Sequence, residues 1–421
     1  MINTEILDID IAIIGAGPSG IAAAIELSKL GYKNLIVFER EDEAGGTPRH
    51  CGHLGFGMFE FGQILTGPSY AKKLRKKAKD NDINIYLGAT LVKIDNDILL
   101  FSTPEGMKQY RAKRTLLAMG ARETPRPERL ISGIRSPNII TTGALQRFTY
   151  LEQRRPFSEA VIVGSEIVSF SAMMTARHAN IKIVAIIEEE NEINSHVVLK
   201  YLAKYIFKIP IYTNTKIMSI NGENKEIRSL TVLKDGQEET ILCNGIVFTG
   251  HFTPESSILK KSFDDFNLCN NSVYISQNFQ TSKLQYFASG NVLRGALTAF
   301  KCYFEGKKVA KYIDNSLKQK KNPTFLKIDA DKNIDWYYPS LVDMSSPRRY
   351  LTKVRLVSRK KGLLKVLLNG KEVQRQNISP LPYFMTKIDC PNINLKETDN
   401  IRIIFETKLY VKHDILLYIC Y

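Results

Sequence analysis

The stretch Gly15-Ala16-Gly17-Pro18-Ser19-Gly20 sets three glycines at the spacing Gly-x-Gly-x-x-Gly. Each glycine has its own physical use: Gly15 permits a tight turn, Gly17 lets the main chain approach a pyrophosphate, and Gly20 allows a helix to pack closely on a strand. The pyrophosphate would sit on the N-terminus of the following helix, where unpaired N–H groups and the dipole favour an anion. Pro18 and Ser19 lie inside this turn and belong to the same binding set. Glu39, 24 residues beyond Gly15, is placed to accept hydrogen bonds from a ribose. The chemistry these residues point to is dinucleotide binding.

The flanking elements agree with that chemistry. Residues 9–14 are an apolar run that reads as a buried parallel strand, residues 21–30 fit a helix closed by Gly31, and Leu35 to Phe38 is a second strand ending at Glu39. A second copy follows: a strand from Ala160 to Gly164, a helix from Ser165 to His178, and a strand from Ile183 to Ile187 ending at Glu188. Gly164 and Glu188 are again 24 residues apart, which marks an internal repeat of two nucleotide-binding folds. Two more apolar runs end in glycine, at Gly120 and at Gly290-Asn291. The pattern predicts an α/β protein with two Rossmann-like dinucleotide-binding domains. The first is discontinuous over 1–125 and 270–316, and the second spans 126–269. Residues 317–335, lysine-rich and polar, read as a linker. From about 336 short alternating strands predict a small, mostly β C-terminal domain within 330–421.

The two glycine turns differ. The second reads Gly164-Ser165-Glu166-Ile167-Val168-Ser169, with Glu166 where backbone should approach a pyrophosphate. A carboxylate there adds bulk and like-charge repulsion. A working NAD(P) site and a retained scaffold, or a surface for a partner or other ligand, both stay open. If the site works, Glu188 favours NAD over NADP by repelling a 2′-phosphate.

Composition narrows the class. The 421 residues are 44% hydrophobic and 24% charged, enough for two or three domains and against wholesale disorder. No apolar run is long enough to span a bilayer. The N-terminus lacks a basic n-region and a small-residue cleavage site, so a cytoplasmic location is expected. Six cysteines, at 51, 243, 269, 302, 390 and 420, include no CxxC pair, so no metal site and no disulfide framework is signalled. The formal charge of +16 fits an acidic partner, an anionic substrate, peripheral contact with an anionic membrane, or simply solvated lysine-rich faces. No nucleic-acid module accompanies it.

The stretch 39–46, an acid followed by Gly45-Gly46, resembles the segment that passes beside the flavin in two-dinucleotide-domain flavoproteins. Segments 45–74, 118–133, 141–146, 160–179 and 287–295 together resemble the family of hydroxyproline and proline dehydrogenase α subunits, to which chains of opine oxidase and hydrogen cyanide synthase also belong. The resemblance covers most of residues 8–315. It implies an FAD-dependent oxidoreductase, often one chain of a complex, acting on an amino acid or secondary amine. The acceptor would be a partner flavoprotein, a ferredoxin-like subunit or a quinone. It adds Arg40, Gly46, Thr47, Gly120, Gly290 and Asn291 to the FAD-contacting set, although Asn291 stands where the family usually has aspartate.

In disulfide reductases the region of Arg49-His50-Cys51-Gly52-His53 carries two cysteines, whereas here Cys51 is alone, so dithiol chemistry is absent. Arg49, His50 and His53 either bind a carboxylate or developing negative charge near the flavin, or cap a helix and bond the backbone. Cys51 is either a reactive thiol or an inert one. His178 reads as a helix-end residue, His251 as part of an interdomain crossing, and Arg294 as a phosphate contact or a turn brace. Trp336, Tyr337 and Tyr338 read as core of the small domain. No residue announces a general base. Two rival readings remain: an NAD(P)H-dependent flavin oxidoreductase, and an FAD-binding relay or assembly protein without its own substrate.

Overall fold

Apolar runs joined through glycine turns to helices assemble as parallel sheets, because each run can be covered on both faces. The computed structural model describes residues 5–95, 97–193, 201–295, 297–319, 322–345, 350–356, 361–378, 386–390 and 395–407. It divides into two units, Met1–Asn322 and Pro323–Tyr421.

In the first unit, strand Ile6–Ile14 lies between Leu35–Phe38 and Gly106–Leu117, with Asn84–Tyr86 and Tyr286–Ala288 outside them, all five parallel. Ile11, Ala12 and Ile13 are fully buried. Ile14 pairs with both Phe38 and Leu117, and Leu117 with Ala288, so the strands' C-terminal ends reach one common edge. Ligands of open parallel sheets bind at that edge. Gly106–Leu117 runs beyond the parallel sheet, and its first half closes an antiparallel meander with Thr90–Asp95 and Ile98–Thr103.

The second copy repeats the plan. Its parallel sheet runs Ile139–Thr141, Gly245–Phe248, Glu159–Val163, Lys182–Ile187, Ile211–Tyr212, and its meander is Thr215–Glu223, Glu226–Lys234 and Gln237–Leu242. Even main-chain bonds are shared. Gly15 N donates to Phe38 O and Gly164 N to Ile187 O, both at 2.8 Å, while Ala118 N donates to Ile14 O and Thr249 N to Val163 O, both at 2.9 Å. Antiparallel strands Ala121–Glu123 and Phe252–Pro254 carry the chain between the copies.

The second unit is β-rich. One sheet runs Leu341–Asp343, Phe325–Ala330, Ile401–Thr407, Gly362–Leu368, Lys371–Ile378, and another Ile334–Tyr338, Tyr350–Leu356, Thr386–Cys390. Trp336, Tyr337 and Tyr338 are buried in it, and the Tyr337 hydroxyl donates to Ile328 O at 2.8 Å. Residues 317–335 are therefore not one linker: a helix reaches Lys318 and a strand begins at Phe325. Leu326 and Ile328 point inward while Lys327 and Asp329 alternate outward, and that polar face concealed the strand. Among the described residues no helix is long and apolar enough to cross a membrane.

Candidate functional site

The first glycine turn sits at the sheet edge that binds ligands. Gly15 has φ +108°, and a Cβ there would stand 2.5 Å from Ala118 O; a Cβ at Gly20 would stand 1.9 Å from Gly15 O. No side chain fits at either position. Gly17 is different: a Cβ there would meet only the Cα of Gly46, at an ordinary contact distance of 4.0 Å. Gly46 in turn, at φ +64°, would drive a Cβ to 2.9 Å from Gly17 Cα. The two glycine backbones thus pack closely against each other, nearer than a side chain on Gly46 would allow. Helix Pro18–Lys29 begins beside it with Pro18 in its first turn and no side-chain cap, so its leading N–H groups are left for a ligand.

Glu39 is buried and held by the turn itself, its two carboxylate oxygens accepting from Ala16 N (2.8 Å) and Glu41 N (3.1 Å). That grip fixes the group beside the turn, with lone pairs to spare for ribose hydroxyls. Arg40 is exposed, 3.7 Å from Glu255 and 3.9 Å from Glu41. Gly120 (φ +78°) has no atom within 4 Å of its Cβ position, and Thr47 is exposed at the start of the turn Thr47–His50.

Gly290 (φ +76°) packs on Ser19, and the hydroxyls of Ser19 and Ser289 lie 2.6 Å apart, which ties the second turn to the first. Asn291 is turned to its own loop, accepting from Leu297 N at 2.7 Å and donating to Leu297 O at 3.3 Å, so its side chain braces the turn. Arg294 is likewise a turn brace: it is buried and ion-paired to Glu305, whose other oxygen accepts from Gly290 N at 2.6 Å. Glu305 and Gly306 escaped the sequence reading. A Cβ at Gly306 would stand 2.1 Å from Ser19 O, so this glycine sets the approach of helix Ala299–Lys318 to the first helix. A glycine inside a helical pattern was the one signal available.

The 49–53 segment lies where the two copies meet. Arg49 is not available to a carboxylate ligand: its guanidinium is 3.2–3.8 Å from Glu43, Asp42 and Glu41, three acids just upstream that neutralise it. Nδ1 of His53 lies 2.9 Å from Leu54 O, a backbone bond. His50 faces the second copy, its Nε2 and a Glu123 carboxylate oxygen lying 4.0 and 3.3 Å from the Cβ position of Gly143. Burial, reinforced by Arg49, lowers the His50 pKa to about 4, so the ring is neutral at physiological pH. Cys51 is buried, its single S–H within reach of Thr47 O (3.4 Å) or Gln146 Oε1 (3.5 Å); burial, then the Glu123 charge, pushes its thiol up to about 12. An inert thiol is the outcome.

At the second glycine turn Glu166 is buried and accepts from the Thr249 hydroxyl at 2.8 Å. Burial raises its pKa, partly countered by the Thr249 bond. Glu188 accepts from the Ser165 hydroxyl and from Glu190 N, much as Glu39 is held in the first copy. The His178 ring packs at a tilt against Tyr150, centroids 5.0 Å apart, and the His251 carbonyl accepts from Thr124 N across the crossing strands.

The sequence signature of pyridine nucleotide-disulphide oxidoreductases matches residues 9–313. The chain belongs to this family. It is an FAD-dependent oxidoreductase, and the glycine turn that leads into an uncapped helix N-terminus fits the cofactor. Among curated relatives, mitochondrial dihydrolipoyl dehydrogenase of Caenorhabditis elegans is 24% identical over 342 residues, 72% of this chain and 67% of that one. Thioredoxin reductase of T. acidophilum shares the fold with a TM-score of 0.60 at 19% identity, covering 74% of this chain and 99% of that one. L-proline dehydrogenase of P. horikoshii shares it with a TM-score of 0.57 at 17% identity, covering 76% of this chain and 58% of that one.

Proposed function

We propose that the protein is a dehydrogenase or oxidase, or the flavin-bearing chain of one, that oxidises a small amino acid or secondary amine. Electrons would leave to a partner flavoprotein, a ferredoxin-like subunit or a quinone, in the cytoplasm or in peripheral contact with a membrane. One observation carries the reading: the segment that could hold a dithiol has a single thiol, Cys51, buried and pushed up to about 12. Disulfide exchange requires an accessible thiolate and a second sulfur. Without either, the donor must react directly.

FAD, when bound, supplies the acceptor for two electrons. Gly15, Gly17, Pro18, Ser19 and Gly20 would form the turn that seats its pyrophosphate on the helix, Glu39 would meet its ribose, and Gly46, Thr47, Gly120 and Gly290 would line the path, with Arg40 at the rim. Asn291, Glu305 and Arg294 keep the Gly290 turn in place. His50, neutral and facing the junction of the copies, can accept a hydrogen bond from an amine N–H. Anaerobic mixing of the FAD-loaded protein with amino acids and secondary amines tests the reading. Bleaching of the flavin by one of them, retained in Cys51→Ser, supports it. Loss of bleaching in Cys51→Ser, or bleaching only by a dithiol, rejects it.

A further inference from the structure

We propose that the Glu166 carboxylate is a built-in occupant of the second dinucleotide seat, and is the residue that closes it to a nicotinamide dinucleotide. The internal repeat supplies the measure. Gly17 and Glu166 both cap their helices with the same extended backbone, φ −79° and ψ −175° against φ −72° and ψ 173°. Gly15 and Gly164 match too, at φ +108° and +112°. The seats therefore differ in contents rather than in backbone. At Gly17 no side chain enters the turn, and a Cβ would meet only Gly46 Cα at 4.0 Å, whereas the Glu166 side chain folds back over its own turn. A Cβ at Gly164 would stand 2.6 Å from Glu166 Oε2, and one at Gly250 would stand 2.1 Å from Oε1. The carboxylate fills the gap between the glycine turn and the end of the neighbouring strand, where the pyrophosphate of a dinucleotide would enter.

The surroundings hold it there. Thr249 donates its hydroxyl to Glu166. Arg129 lies 4.8 Å over the Phe248 ring and donates to Thr249 O (3.0 Å) and Gly250 O (3.2 Å), clamping the main chain opposite the carboxylate. A carboxylate so placed excludes a pyrophosphate by its volume. The ribose end is intact: Glu188 is held as Glu39 is, with one oxygen accepting from Glu190 N at 3.1 Å as Glu39 accepts from Glu41 N at 3.1 Å. The closed seat is thus one residue away from an open one. The closure concerns only the second copy, whatever donor the flavin takes.

The test uses the full, FAD-loaded chain, in which the first seat is filled, with ADP, NADH and NADPH as probes in calorimetric titrations. Native protein should show no saturable binding at millimolar ADP. Glu166→Gly should bind ADP and NADH at least about tenfold more tightly, with NADH ahead of NADPH because Glu188 meets a 2′-phosphate. Glu166→Gln, which keeps the bulk, should stay closed. Native binding within threefold of Glu166→Gly overturns the inference. So does an equally tight Glu166→Gln, or a Glu166→Gly of native FAD content and melting temperature that binds neither probe. Glu166→Ala replaces the glycine variant if the latter does not fold, with the same outcomes. Flavin bleaching by amines is recorded on the same samples, so a failed donor assignment is read separately from a failed closure.

Discussion

His50 and Cys51 sit side by side in the chain, and burial acts on both in the direction that suppresses charge. For His50 the folded-state pKa, about 4, lies below the unfolded value near 6.5. The unfolded chain takes up the proton first, so the stability contribution is present above about pH 6.5 and lost as the pH falls toward 4. The distance between those two values predicts a loss of about 3 kcal/mol across that window. Denaturant unfolding at pH 7.5 and 4.5 should show it in native protein and much less in His50→Gln. Cys51 should resist alkylation at pH 8 in the folded state and react once the protein is unfolded, as counted by mass spectrometry. The glycines and Glu39 were legible because what they do depends on backbone and spacing. Arg49 and Asn291 were not, because long or amide side chains take whatever partners folding brings near: three acids for Arg49, and the Leu297 backbone for Asn291.

Strand, glycine turn, helix, strand and terminal acid could be read twice, since period and punctuation agree. The two antiparallel meanders could not. Their strands carry few buried positions, as in Thr90–Asp95 and the mostly exposed Gln237–Leu242, and pairing register is a long-range property. The strand Phe325–Ala330 was hidden in the same way. Helix Ala299–Lys318 was not read from the sequence, although its Glu305 holds Gly290 N and its Gly306 packs on the first helix. Gly306→Val should push it off Ser19 and strain the Ser19–Ser289 contact. The expected cost is about 2 kcal/mol or more from overpacking, with FAD occupancy reduced in purified protein. A variant that melts like native and keeps a full complement of flavin would contradict that packing.

Over the whole molecule, every proposed FAD residue falls within Met1–Asn322, so a fragment ending at Asn322 should fold and stay yellow. Loss of flavin from that fragment would assign the β-rich unit a part in holding it. Two copies of one fold, with the second turn filled by its own glutamate, are the ground for the proposal that the reductant of the flavin is not a nicotinamide. Anaerobic reduction of the bound flavin in the native full-length protein tests this most directly, with NADH, NADPH and a panel of amino acids and secondary amines compared on one preparation. The expected result is that an amine or amino acid bleaches the flavin band while both nicotinamides leave it unchanged. Rapid bleaching by NADH or NADPH, with every amine inert, would contradict it.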